Sequence, residues 1–110
     1  MSEFLFVYRN TPSTHTPDEM QQQMQRWMSW MKDLGARGHL KNPGHPLEFT
    51  GKVIAGKDKI VTDGPFAEKD LVSGFSVVEA RDIDHAIELS RGCPIFLFNG
   101  AVEVRPIRAM

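Results

Sequence analysis

The most constraining feature of the sequence is a strand-like run, residues 3–9, that is apolar on both faces. Its side chains point alternately to the two sides of an extended chain: Phe4, Phe6 and Tyr8 to one, Leu5 and Val7 to the other. A strand with one solvated face alternates apolar and polar residues, whereas a strand that is apolar throughout is covered on both faces. Residues 73–80 have the same character. The fold must therefore cover both faces of two strands.

A clear helix signal follows the first strand. Thr16 is placed to cap the helix, Pro17 occupies the first helical position, and Glu19 completes a capping box. Gly35 or Gly38 ends the segment. Five residues at helical spacing form the predicted core-facing stripe: Met20, Met24, Trp27, Met31 and Leu34.

The rest of the sequence predicts further strands and a second helix. Residues 52–55 and 59–62 predict a short hairpin, residues 38–50 a loop, and residues 101–107 a last strand. Asp82 caps a second helix. The order predicts a ferredoxin-like βαββαβ fold of the α+β class, with an antiparallel sheet and an extra short hairpin. The two most apolar strands should be central in that sheet.

This topology leaves one sheet face without cover, because two helices shield only one face of four strands. Three or four uncovered large side chains cost roughly 1.5–3 kcal/mol each relative to burial. An exposed ion pair stabilises by only about 0–1 kcal/mol. The sequence therefore predicts a homodimer in which the sheets of two copies pack face to face.

Composition limits the remaining possibilities. A chain of 110 residues forms one domain, residues 1–110. The formal charge of −1 disfavours direct binding of nucleic acid, and no apolar run approaches the roughly 20 residues of a membrane helix. A single cysteine, Cys93, favours a reducing compartment, so we expect a cytoplasmic protein. His39 and His45 lack a metal-ligand spacing, and we expect neither a metal nor a cofactor.

Several side chains are candidates for a small-molecule pocket. The sequence groups six residues on one sheet face: Phe4, Phe6, Tyr8, Phe75, Val77 and Glu79. A few polar groups among apolar walls are typical of such a pocket, although Tyr8 and Glu79 alternatively mark a solvated rim. Trp30, at the edge of the first helix's stripe, lines the pocket or the subunit contact, or simply packs at the rim. Arg105, beside Glu103, is either a clamp for an anion or one of two charges that protect an edge strand.

Asp63 is the main candidate for a catalytic residue. It ends a strand before Gly64 and Pro65, where a desolvated carboxylate could act as an acid or a base. The alternative is an Asx-turn, in which the carboxylate accepts hydrogen bonds from nearby backbone N–H groups. Phe66 of the same segment is a further pocket candidate.

The segment around Asp63 also carries a family resemblance. Residues 61–69, Val-Thr-Asp-Gly-Pro-Phe-Ala-Glu-Lys, resemble the signature of YCII-related proteins of the DGPF type. Residues 92–94, Gly-Cys-Pro, and residues 102–106, Val-Glu-Val-Arg-Pro, are similar to the C-terminal signature of that family. The resemblance covers the whole chain and implies a dimeric α+β barrel built from ferredoxin-like protomers.

The resemblance also implies two functions. Some family members are linked to extracytoplasmic-function sigma factors, which favours a small-molecule-binding accessory or regulatory protein. A relative in the wider group is a dehydrochlorinase that uses a histidine and an aspartate, whereas the first helix here carries tryptophans and no histidine. The alternative is therefore an enzyme for a small aromatic or anionic substrate, with Asp63 as acid or base and Tyr8 or Arg105 orienting the substrate.

Overall fold

The computed structural model describes residues 1–11 and 13–110 and has an α+β fold. The elements in chain order are β1 (Ser2–Asn10), α1 (Pro17–Ala36), β2 (Leu40–Asn42), β3 (Gly51–Ala55), β4 (Ile60–Gly64), β5 (Leu71–Ala80), α2 (Ile83–Ser90), a 3₁₀ helix (Pro94–Phe98) and β6 (Ala101–Pro106). Strands β2, β5, β1 and β6 form an antiparallel sheet in that order, and β3 pairs with β4 alone. The predicted ferredoxin-like α+β fold is confirmed.

The two strands that are apolar on both faces occupy the centre of the sheet, as predicted. β1 pairs with β5 on one side and with β6 on the other. The helices cover the face that carries Phe4, Phe6 and Tyr8, and these side chains are buried with Val78 and Leu34. In the part of the chain that the structure describes, neither helix has the length and apolar character needed to cross a membrane.

The predicted grouping of Phe4, Phe6 and Tyr8 with Phe75, Val77 and Glu79 is wrong. In the register of β1 and β5, Phe6 lies opposite Ser76 and Val7 lies opposite Phe75. Phe75, Val77 and Glu79 therefore share a face with Leu5 and Val7, away from the helices. A shift of one residue exchanges the faces of a strand. Both faces of each strand are apolar here, so the pattern alone does not determine which faces meet.

Helix α1 begins as predicted, but part of its stripe does not reach the core. Thr16 Oγ1 accepts a hydrogen bond from the Glu19 backbone N–H, and the Glu19 carboxylate accepts one from the Thr16 backbone N–H. Met20 and Met24 are 58% and 64% exposed, whereas Trp30 is buried. The core lies under the C-terminal half of α1 only, so the first turns of the helix extend beyond it.

The segment predicted as a loop, residues 38–50, contains the short edge strand β2. A buried chain of hydrogen bonds holds the residues that follow β2 against the sheet. Tyr8 Oη donates to Ser76 Oγ over 2.8 Å, and Ser76 Oγ donates to the Pro43 carbonyl over 2.7 Å. Gly44 comes next, with a φ of 69°. A Cβ atom there would overlap the Phe75 carbonyl oxygen, because the backbone of Gly44 packs directly against the backbone of Phe75.

The molecule is a slab 18 Å thick in its shortest dimension, with helices on one side only. We call the patch of Leu5, Val7, Phe75 and Val77, which are half-buried and lie on the side away from the helices, the open face. We call the hairpin of β3 and β4 the arm. The surface area is 8100 Å², whereas a monomer of this mass exposes about 6,100 Å². The radius of gyration, 15.5 Å, likewise exceeds the ~13 Å of a compact domain of this length. The chain thus exposes more surface than a compact monomer does.

Two glycine substitutions test the close approach of residues 43–46 to the sheet. Gly44→Ala should destabilise the protein by at least ~1–2 kcal/mol, because an alanine there adopts a left-handed conformation and its Cβ overlaps the Phe75 carbonyl. Gly35→Ala lies in α1 with open space around it and should stabilise by about 0.5 kcal/mol. Urea unfolding of both variants measures the difference. Equal stabilities would contradict the described backbone contact.

Candidate functional site

A cleft of about 470 Å³ lies where the arm joins the sheet. Its apolar wall comes from the loops on either side of the arm and from the start of β5: Leu47, Phe66, Leu71 and Val72. Its charged lining consists of Arg9, Glu48, Lys52 and Glu68. A concave apolar surface with few charged groups is the usual form of a small-molecule site. We call this site the cleft.

Arg9, at the end of β1, is the most constrained charge of the cleft. Its Nε donates to Glu103 Oε1 over 3.0 Å, and its Nη1 donates to Glu68 Oε2 over 2.7 Å and to the Asp70 carbonyl over 3.2 Å. The hydrogen bonds to Glu103 and Glu68 raise the pKa of Arg9, and the bond from Arg9 lowers the pKa of Glu103. The guanidinium is thus fixed in place as a permanent cation.

The two carboxylates around Arg9 are held differently. Glu103 belongs to β6, which pairs directly with β1, so the sheet itself positions this carboxylate. Glu68 lies in the segment between β4 and β5, and its side chain is 50% exposed. An ion pair with an exposed partner contributes only about 0–1 kcal/mol. The two carboxylates thus differ mainly in their support, since Glu103, 37% exposed, belongs to the sheet and Glu68 belongs to a connecting segment.

Asp63 lies outside the cleft lining and faces solvent in the single chain. It pairs with Lys52 across the arm, where the two side chains form an ion pair, and its side chain is 92% exposed. The carboxylate is therefore open to solvent within one subunit. The catalytic role of Asp63 stays a prediction.

The other predicted site residues fall into three separate places. Tyr8 and Trp30 lie in the core under the helices, with ring centroids 6.3 Å apart, and burial raises the pKa of Tyr8. Glu79 and Arg105 lie on the side of the sheet away from the helices, where Glu79 contacts Lys41 at 3.5 Å. Of the predicted residues, only Phe66 lines the cleft. Within one chain they do not form a single site.

Sequence reasoning missed Arg9, the central residue of the cleft. A signal was present, because Arg9 is the cation that ends an otherwise apolar strand. Its partner Glu68 stands two residues after Phe66 in the segment that carries the family signature. What the sequence lacks is the pairing of β1 with β6, which brings Glu103 to Arg9 across 94 residues.

In the described ranges 1–11 and 13–110, no three histidine, cysteine, aspartate or glutamate side chains are grouped so that they could hold an ion. His39 and His85 form a pair, with ring centroids 4.9 Å apart.

The fold and the cleft together define a ferredoxin-like α+β domain with a ligand-sized recess beside its sheet. In a comparison with protein families, residues 2–110 match the YCII-related domain. The chain therefore belongs to the YCII-related domain family, as its motifs indicate. Comparison with curated proteins gives no significant match.

Cys93 provides a test of whether a buried thiol can act as a nucleophile here. Burial raises its pKa to about 12, so the thiol stays protonated and iodoacetamide should label it slowly at pH 8 until urea unfolds the chain. An unfolded thiol ionises near ~8.5. Between that pH and about 12 the unfolded state therefore binds fewer protons, and Cys93 makes stability fall as pH rises.

Mass spectrometry of the alkylated protein gives the labelling rate. Unfolding at pH 8 and pH 10, compared with Cys93→Ala, isolates the contribution of the thiol to the pH dependence. Rapid labelling of the folded protein at pH 8 would show that the thiol is accessible and contradict its described burial.

Proposed function

We propose that this chain is a small-molecule-binding accessory protein that works as a homodimer, with the cleft as its ligand site. The observation that carries the proposal is the state of Arg9. Glu103 and the sheet fix the guanidinium, the exposed Glu68 is its replaceable partner, and an apolar wall lies beside it. A site of this kind suits a molecule with an apolar or aromatic body and one acidic group.

The acidic group of such a ligand takes the place of Glu68. A carboxylate matches the planar donor geometry of the guanidinium. The exposed pair that it displaces is weak, whereas a charge-assisted hydrogen bond in a partly enclosed site contributes about 1.5–3 kcal/mol. The aromatic body packs against Phe66, Leu71 and Val72. Phe66 is exposed in the single chain and becomes covered when the cleft is filled.

The open face supports the homodimer. Its centre is apolar, and three acidic and three basic side chains surround it on the same side of the sheet: Glu3, Glu79, Glu103, Arg9, Lys41 and Arg105. An apolar centre with a polar rim is the usual anatomy of an interface. Equal numbers of acidic and basic side chains also suit two-fold symmetry. In a two-fold dimer the rim of one copy contacts the same rim of the other, so opposite charges are available to pair.

The surface area supports the same assembly. The excess of about 2,000 Å² over a monomer of this mass is larger than the ~800 Å² that each partner buries in a standard interface. Arg9 connects the two parts of the proposal, because it lines the cleft while its partner Glu103 lies on the rim of the open face. A second copy on the open face would therefore lie beside the cleft.

The regulatory part of the proposal follows from the family resemblance. Association with an extracytoplasmic-function sigma factor and a cytoplasmic location stay predictions. Co-expression of the chain with a candidate sigma factor, followed by affinity purification, tests the association.

The ligand site is tested with benzoate and phenylacetate, with benzamide as a neutral probe of matched shape. Thermal unfolding of wild type should shift upward with the acids and not with the amide. Arg9→Gln should weaken acid binding about tenfold or more, because a charge-assisted hydrogen bond is lost. Glu68→Gln should strengthen it, because the competing carboxylate is gone.

Arg108→Gln is the matched control, since Arg108 is an exposed cation outside the cleft lining. The two acids should raise the unfolding temperature of this variant as much as they raise that of wild type. Equal shifts with benzoate and benzamide, or no shift with either acid, would contradict the proposed ligand class. A response that survives Arg9→Gln would place the acid site elsewhere.

The homodimer is tested by light scattering over a range of protein concentrations. Wild type should have the mass of two chains, and Val77→Lys should shift it to one, because an unpaired charge then lies at the centre of the interface. Met24→Lys places the same charge on the exposed part of α1 and should leave the dimer intact. A wild type that stays monomeric at high concentration would contradict the interface.

A further inference from the structure

A groove on the helix side of the molecule is separate from both the cleft and the open face. It has a volume of about 860 Å³ and runs between α1 and the segment that joins α2 to the 3₁₀ helix. Its α1 wall includes Gln22, Arg26, Trp30 and Asp33. The eleven residue-to-residue steps from Gln22 to Asp33 correspond to about 16 Å along a helix. We call this site the groove.

Trp30 presents an unused hydrogen-bond donor at the bottom of the groove. Its side chain belongs to the core and is only 8% exposed. Among the residues that the structure describes, none accepts a hydrogen bond from its Nε1. Gly92 lies beside that atom, and a Cβ at Gly92 would stand 3.1 Å from Nε1. The absence of a side chain at Gly92 therefore keeps the indole N–H accessible from the groove.

Arg26 adds an unpaired cation one turn along the same helix. The other two charged residues of the lining have partners: Asp33 contacts Arg37 at 3.0 Å, and Arg91 contacts Glu88 at 3.0 Å. Arg26 has no carboxylate within ion-pair distance in the described ranges. An accessible donor without an acceptor and a cation without an anion thus line the same groove. Both are satisfied by a carboxylate.

We propose that the groove binds an acidic segment of another protein, with one of its carboxylates accepting from Trp30 Nε1 and pairing with Arg26. The dimensions favour a peptide, because about 16 Å accommodates five residues of extended chain. Phe96 and Leu97 form the opposite wall and are exposed. They offer apolar contacts to the side chains that flank the carboxylate. The groove lies on the other side of the slab from the open face, so a homodimer leaves it free.

A peptide library tests this site directly. Random seven-residue peptides displayed on phage are panned on the immobilised full chain, and enriched peptides are synthesised with a fluorescent label. We expect enriched peptides to contain Asp or Glu. Replacing that residue with Asn or Gln should weaken binding about tenfold in fluorescence anisotropy, the loss expected for one charge-assisted contact.

Matched variants locate the binding in the groove. Arg26→Gln and Gly92→Ala should each weaken binding to a similar degree, the second because a methyl group then crowds the indole N–H. Lys32→Gln removes a cation from α1 outside the groove and should change nothing. Thermal unfolding verifies that each variant is folded.

The indole N–H resonances give an independent readout. The chain has two tryptophans, so the ¹⁵N–¹H spectrum contains two such signals, which Trp27→Phe assigns. Peptide should move the Trp30 signal and leave that of Trp27 in place. No enrichment from the library, peptides that bind without a carboxylate, or an unmoved Trp30 signal would each overturn the proposal.

Discussion

The structure depends on an imbalance between its sheet and its helices. Strands β1 and β5 are apolar on both faces, and α1 and α2 cover one of those faces. On the covered side, Phe6, Leu34 and Val78 are fully buried in the core. The other side carries half-buried apolar side chains surrounded by ion pairs, and such exposed pairs add little stability. The proposed dimer, the position of Arg9 and the accessibility of the groove all follow from this arrangement.

Much of the fold is present in local sequence signals. The capping box of Thr16 and Glu19, the hairpin around Gly56 and the two central strands are encoded by neighbouring residues, and the structure confirms them. The short strand β2 carries no such signal. It forms because residues 40–42 lie along the edge of β5, and this contact depends on the complete fold.

The wrong face grouping and the missed cleft share one physical cause, which is the register between distant segments. Whether Phe75 shares a sheet face with Phe6 or with Val7 depends on a shift of one residue in the pairing of β1 with β5. Both registers bring apolar residues together, so the sequence pattern does not distinguish them. The cleft is likewise built from segments far apart in the chain, with Arg9 near the start and Glu103 near the end. Motif reasoning pointed to Asp63, whereas the same segment contributes Phe66 and Glu68 to the cleft. Such a site emerges from strand order and cannot be assigned from any single stretch of residues.

The arm adds a dynamic consequence. Its two strands pair only with each other, and an isolated two-stranded hairpin is marginally stable in water. Lys52 of the arm nevertheless lines the same recess as Leu71 and Val72 of the central strand β5. A molecule bound there bridges a loosely held element and a rigid one, so occupancy reduces the motion of the hairpin. Binding is then coupled to local order, and a protein that contacts the hairpin can distinguish the filled state from the empty one by its stiffness alone.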